Sequence, residues 1–166
     1  MASHTDTLVS VAEYLATNYE PDAEYLGGRI VERNVGQWDH SSLQAALAAY
    51  FYSHRGEWQI LVATEQRMAL ASDRFRIPDV CVLRSSNKPE PVLNTPPLLC
   101  IEILSPGDRA SDMFEKVQEY LDWGVEYVWV IDPARKTGWS YAKTGTLQRA
   151  EDGVLTEPFA LNLREI

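Results

Sequence analysis

The sequence predicts an α+β (mixed α/β) domain, a curved mixed β-sheet flanked by α-helices. Two observations lead to it. Helical and extended apolar periodicities alternate along the chain, and two short, strongly apolar segments, 79–83 and 98–104, read as buried strands. The segment that joins them holds four prolines, which make it a surface loop rather than a crossover helix, so the two strands are most simply antiparallel. A length of 166 residues with 45% hydrophobic content, nine glycines and nine prolines fits one compact domain over 1–166. A chain of this size can bury about 70% of its surface without staples.

Taken in order, Leu8, Val11, Ala12 and Leu15 recur with helical spacing and predict a first amphipathic helix ending before Asn18–Pro21. Residues 24–26 and 29–32 read as a hairpin, because Gly27 and Gly28 supply the positive φ values of a two-residue turn. A second helix, capped by Asp39, carries Leu43, Ala46, Leu47, Tyr50 and Phe51 on one face, closed by His54. After Arg55-Gly56 the period drops to two through Trp58, Ile60 and Val62, with "RMALA" as the expected antiparallel neighbour. A third helix fits residues 110–123, "YVWVID" at 127–132 is a further buried strand, and the segment 137–150 is a hairpin turning near Thr144-Gly145.

Fifteen basic against 24 acidic residues give a net charge of −9, which argues against a non-specific nucleic-acid coat. The local exception is Pro133 to Ala150, which has no acid and four bases, Arg135, Lys136, Lys143 and Arg149. Cys81 and Cys100 lie inside apolar runs without metal-ligand spacing and read as reduced, buried thiols. No apolar run approaches the length of a membrane span, and the first residues lack a basic leader region, so a cytoplasmic protein is expected.

Glu102 interrupts an apolar run that otherwise has every mark of a core strand. An ionised acid there must be protonated, paired with a cation or bound to a metal. Asp79 heads the preceding strand, and an antiparallel register in which positions sum to 181 sets Asp79 against Glu102 and Cys81 against Cys100 on one face. Carboxylates opposed at about 5 Å repel unless a cation lies between them, and oxygen ligands suit Mg²⁺ or Mn²⁺ better than zinc. The plainer alternatives are a strand-start role for Asp79 after Pro78 and an ion pair of Glu102 with an arginine such as Arg76. Asp112, Lys116 and Tyr120 recur every four residues on the third helix. Asp112 and Lys116 form either a solvated pair or, in the functional reading, part of a stripe from which Lys116 reaches Glu102 to orient a water, with Tyr120 adding a hydroxyl. Glu24 is a further candidate ligand or water-holder, or else an exposed strand acid. His40 reads more readily as a cap or sheet-packing residue than as a ligand.

The strings "AEYLGGRIVE", His40, "RFRIPDV" and "IEILSPGDRASDMFEKVQEYLDWGVEYVWVIDP" together resemble the Uma-type family of bacterial restriction-endonuclease-like proteins, a branch of the PD-(D/E)XK phosphodiesterase superfamily. The resemblance runs over about residues 5–145 and implies a restriction endonuclease-like core. It makes Pro78-Asp79 the PD, Glu102 the acid of the second motif, and Mg²⁺ the bound ion. Leu104 stands where the superfamily places its lysine, two residues after the acid, so that lysine must come from elsewhere, and Lys116 is the candidate. Gly27 stands where relatives usually carry an acid before the glycine, which leaves Glu24 as the acid of the hairpin.

The leading expectation is a Mg²⁺-dependent endonuclease hydrolysing DNA, with Asp79, Glu102 and the Ile103 carbonyl on the metal and Lys116 supporting the attacking water. The basic hairpin with Trp139 and Tyr141 would touch the DNA backbone, or else form an ordinary exposed edge. The competing expectation is a catalytically inactive homodimeric interaction module on the same fold. Glycoside acid/base chemistry fits less well, because a lysine beside two close carboxylates suits a metal.

Overall fold

The computed structural model describes residues 8–34 and 36–166. The first residues, read above for a leader, and the start of the family resemblance at about residue 5 lie outside the described residues. Three helices, α1 (Val11–Ala16), α2 (Trp38–Ser53) and α3 (Ala110–Trp123), accompany twelve strands among the described residues. The strands are β1 (Ala23–Leu26), β2 (Arg29–Glu32), β3 (Ile60–Thr64), β4 (Met68–Ala71), β5 (Arg74–Arg76), β6 (Val80–Arg84), β7 (Leu99–Ile103), β8 (Tyr127–Asp132), β9 (Thr137–Ala142), β10 (Leu147–Ala150), β11 (Val154–Leu155) and β12 (Leu161–Asn162).

The single curved sheet of the sequence reading is in fact two main sheets. A six-stranded sheet runs β10-β9-β8-β7-β6-β3 and a four-stranded sheet β2-β1-β5-β4, with β11 and β12 paired apart. The segment 68–71 is therefore not the neighbour of β3. Glu65 takes φ 53° as the chain leaves β3, which pairs with β6, while β4 forms a hairpin with β5. Arg74–Arg76 is too short and too charged to read as a strand alone; its pairing with β1 is long-range. Between β5 and β6 the chain crosses from one sheet to the other at Ile77-Pro78, and proline, lacking an N–H, suits a point where one ladder ends and another begins. That crossing sets Asp79 at the seam between the sheets.

The β6–β7 register is the one expected: Val80 pairs with Ile101, Cys81 with Cys100 and Val82 with Leu99, antiparallel. β7 and β8 are parallel and need a crossover, which α3 supplies. One face of the six-stranded sheet packs Leu43, Leu47 and Phe51 of α2 against Val80, Val82, Ile101 and Trp129. The other packs Val117 and Tyr120 of α3 against Cys81, Cys100, Val128 and Val130. Period-two alternation sends Cys100 and Glu102 to this second face, toward α3. Gly124 ends α3 at φ 123°, where an added Cβ would lie 3.1 Å from Pro96 Cγ, so a side chain is both strained and crowded there.

Two helix details differ from expectation. α1 exists, but its stripe is wrong: Leu8 is 67% and Leu15 43% exposed, and Tyr14 alone is buried, among Tyr25 and Phe75, its hydroxyl donating to the Ala23 carbonyl at 2.8 Å. Asp39 lies inside the first turn of α2, after a Gln37 cap, where its charge complements the helix dipole. The cysteines are free and buried. Among the described residues no helix is long and apolar enough to cross a membrane.

Candidate functional site

Asp79, Glu102, Glu24 and Lys116 converge on one cleft of about 290 Å³, also lined by Ile103, Arg33, His40, Arg76, Arg109 and Asp112. Three acids of this cluster, Glu24, Asp79 and Glu102, are each only 3% exposed. Buried carboxylates need donors, and each has them. Asp79 heads β6 at the seam. Its Oδ2 accepts the Ile103 N–H at 2.7 Å and lies 3.3 Å from His40 Nε2, while Arg33 donates to its Oδ1. Because the N–H and C=O of a strand residue project from the same edge, the Ile103 carbonyl faces the Asp79 side as well.

Glu102 projects from β7 toward α3. The Tyr120 hydroxyl donates to its Oε1 at 2.7 Å and Lys116 Nζ stands 3.2 Å from its Oε2. Lys116 does not pair along the helix with Asp112; it turns inward and also reaches Glu24 Oε1 at 2.9 Å. Glu24, on β1 of the smaller sheet, accepts the Ile77 N–H at 3.0 Å and Arg76 Nη1 at 2.8 Å. The arginine pairing expected as the plain alternative for Glu102 thus goes elsewhere: Arg76 bridges Glu24 and Glu119 of α3.

These contacts set the protonation states. Burial works against charge on Glu24, but Lys116, Arg76 and the Ile77 N–H outweigh it and hold its carboxyl below the usual range. Burial likewise opposes charge on Asp79, and His40, Arg33 and the Ile103 N–H overcome it. Glu102 differs. Burial dominates, and with Asp79 and Glu24 nearby it pushes the carboxyl up to about 7 despite Lys116. Lys116 is held protonated against burial by Glu102 and Glu24. The hydrogen bond to Asp79 raises the His40 imidazole, whose Nδ1 is buried without a partner among the described residues.

The structure therefore brings together Asp79, Glu102, Ile103, Lys116, Tyr120 and Glu24. Two participants escaped the sequence reading. Arg33 follows the hairpin in an irregular segment and carries no local signal, and His40 was read as a cap or packing residue although its imidazole meets Asp79. None of Arg135, Lys136, Lys143 and Arg149 lines the cleft. Among the described residues no group of three or more His, Cys, Asp or Glu side chains is placed to hold a metal ion. What the cluster offers is the buried carboxylates of Asp79 and Glu102, a backbone carbonyl, and an ammonium positioned by Glu24, which together can handle a cation, a water and an anionic group.

A solved structure described as "a putative nuclease belonging to DUF820" from Anabaena variabilis shares the fold, with a TM-score of 0.82 and 22% identity over 95% of this chain and 96% of that one. No curated protein matches the chain. The model of the Uma2 family, described as "Putative restriction endonuclease", matches residues 11–164, and with nearly the whole of its length matched the chain belongs to that family.

Proposed function

We propose that the chain is a divalent-cation-dependent nuclease that hydrolyses phosphodiester bonds of DNA, with residues 1–166 acting as one domain. The observation that carries this reading is the convergence of Asp79 and Glu102, from strands in the 181 register, on one cleft with the Lys116 ammonium 3.2 Å from Glu102. An all-oxygen set of Asp79, Glu102 and the Ile103 carbonyl fits Mg²⁺, or Mn²⁺, because Mg²⁺ takes one or two carboxylates and completes its shell with water and phosphate. A second sign of fit is Glu102 itself. At 3% exposure, burial pushes its carboxyl up to about 7, and a cation bound beside it would relieve that cost.

When bound, the cation would polarise a phosphoryl oxygen and make hydroxide available near neutral pH. The protein's own groups do the positioning. Lys116, kept protonated by Glu24 and Glu102, holds the attacking water and meets the negative charge that develops on the phosphoryl oxygens. Glu24 acts through Lys116, fixed in turn by Arg76 and the Ile77 N–H. The Tyr120 hydroxyl fixes the carboxylate plane of Glu102. A lysine on a helix can serve in place of one on the strand because the Lys116 and Tyr120 side chains of α3 both reach Glu102 near the end of β7.

Incubation of supercoiled plasmid with the protein tests the reading. Nicked or linear product with Mg²⁺ or Mn²⁺, none with EDTA, and loss of cutting in Asp79→Ala and Lys116→Ala are expected. Cutting that survives Asp79→Ala overturns it, as does a folded protein inert with every divalent ion. The second reading, a non-catalytic homodimeric module, is favoured by the engagement of both Asp79 oxygens with protein donors, and inertness together with a dimer in solution would support it.

A further inference from the structure

We propose that Arg33 is the substrate-phosphate residue of this site and that it is held in reserve on Asp79 until a divalent cation displaces it. The inference rests on the reading that a cation bonds Asp79. Of the two Asp79 oxygens, Oδ2 is tied at 2.7 Å to the Ile103 N–H, a backbone donor whose position is set at the end of a core strand, and it also meets His40 at 3.3 Å. With two donors already on it, one of them fixed backbone, that oxygen is the less open of the two to a cation. Oδ1 is held by the guanidinium of Arg33, a side chain, and a side chain can rotate away.

Arg33 is suited to such a move. It follows β2 in the irregular segment leading to α2, its side chain is 15% exposed at the lining of the cleft, and its Nη1 leans on Glu65 Oε1 at 3.3 Å, an acid 51% exposed. In the same cleft, the cations Lys116 and Arg76 are committed to Glu24, Glu102 and Glu119. A guanidinium and a doubly charged ion brought to one carboxylate oxygen repel each other at close range, so each weakens the other's hold on Asp79. Once released, the guanidinium, whose two outer nitrogens here meet Glu65 and Asp79, has the planar fork that suits a phosphate, beside the atoms where a phosphodiester would bind. Binding of cation and of phosphate backbone are thereby coupled through one side chain, and the coupling is reciprocal.

Calorimetric titration of Mn²⁺ into the wild type and Arg33→Gln, without DNA, tests the displacement. Arg33→Gln should bind Mn²⁺ at least fivefold more tightly. Titration of a short DNA duplex in Ca²⁺ tests the release: the cation should strengthen duplex binding by the wild type and leave Arg33→Gln without that gain. Mn²⁺ binding that is equal or weaker in Arg33→Gln overturns the inference while leaving the metal site standing, and absence of binding in both proteins overturns the metal reading and the inference together. Should Arg33→Gln not fold, a Mn²⁺-bound crystal of the wild type decides. Arg33 beyond hydrogen-bonding reach of Asp79 Oδ1 supports the proposal, and Arg33 still bonded there refutes it.

Discussion

Replacing Glu102 by glutamine should make the metal-free protein more stable, and only above about pH 5. Glu102 is 3% exposed, and burial lifts its carboxyl from 4.5 to about 7, with Asp79 and Glu24 pushing up and Lys116 and Tyr120 pulling down. Between these two values the folded protein holds a proton that the unfolded chain has lost. Its stability therefore falls as pH rises through this window and levels off above it. At about 1.4 kcal/mol per pKa unit the cost of the charged side chain reaches about 3 kcal/mol at pH 8. Glutamine removes the charge, keeps an acceptor for the Tyr120 hydroxyl and leaves Lys116 its 2.9 Å contact with Glu24. Asp79 and Glu24 shift the other way, so their contribution is present above about pH 4 and is lost in acid in both proteins. Urea unfolding in EDTA at pH 4.5 and pH 8 is the assay. The variant and wild type should match at the lower pH and differ by about 3 kcal/mol at the higher, a midpoint shift of about 1 M or more. A variant no more stable than wild type at pH 8 would refute the reasoning that this acid is held at a cost to the fold.

Lys116→Ala should have the opposite effect, a loss of about 3–5 kcal/mol in the same assay at pH 8, because it strips the ammonium from two buried carboxylates; a loss below about 1 kcal/mol would contradict the ion network. Burial pushes the Cys81 thiol up to about 12 and the Cys100 thiol well above its ordinary value, so Ellman's reagent should find neither in the folded protein and both in urea. Rapid labelling under native conditions would contradict their burial. Gly124→Ala combines a positive φ with a 3.1 Å approach to Pro96 and should cost about 1–3 kcal/mol, more than Gly107→Ala, whose φ is also positive but whose Cβ would meet open space; equal costs in the two variants would remove the crowding at Pro96 from the account.

What could be read from the sequence was what depends on nearby residues. The two glycines place the first hairpin, the periodicity bounds α3 at 110–123, and the apolar runs around Cys81 and Cys100 set the register that puts Asp79 against the end of β7. The division into two sheets was out of reach because the β4–β5 hairpin joins β1 only through the Tyr25–Phe75 and Leu26–Arg74 pairings, nearly fifty positions apart in the chain. The same limit hid Arg33 and His40, which meet Asp79 only after the hairpin, α2 and the seam have come together. For α1 the apolar spacing misled, since a six-residue helix anchored by one tyrosine has no need of a stripe. The charge total of −9 was a poor guide to the site, where buried arginines and a lysine answer buried acids one by one.

Crystals soaked in Mn²⁺ and measured at a wavelength where manganese scatters anomalously give the most direct test of the shared carboxylate site. The account predicts one strong anomalous peak bonded to both an Asp79 and a Glu102 oxygen, at roughly 2.0–2.4 Å, the range expected of a small divalent ion. A peak bonded to one of these side chains alone, a peak elsewhere on the protein, or a fully soaked crystal with no peak in the cleft would contradict it.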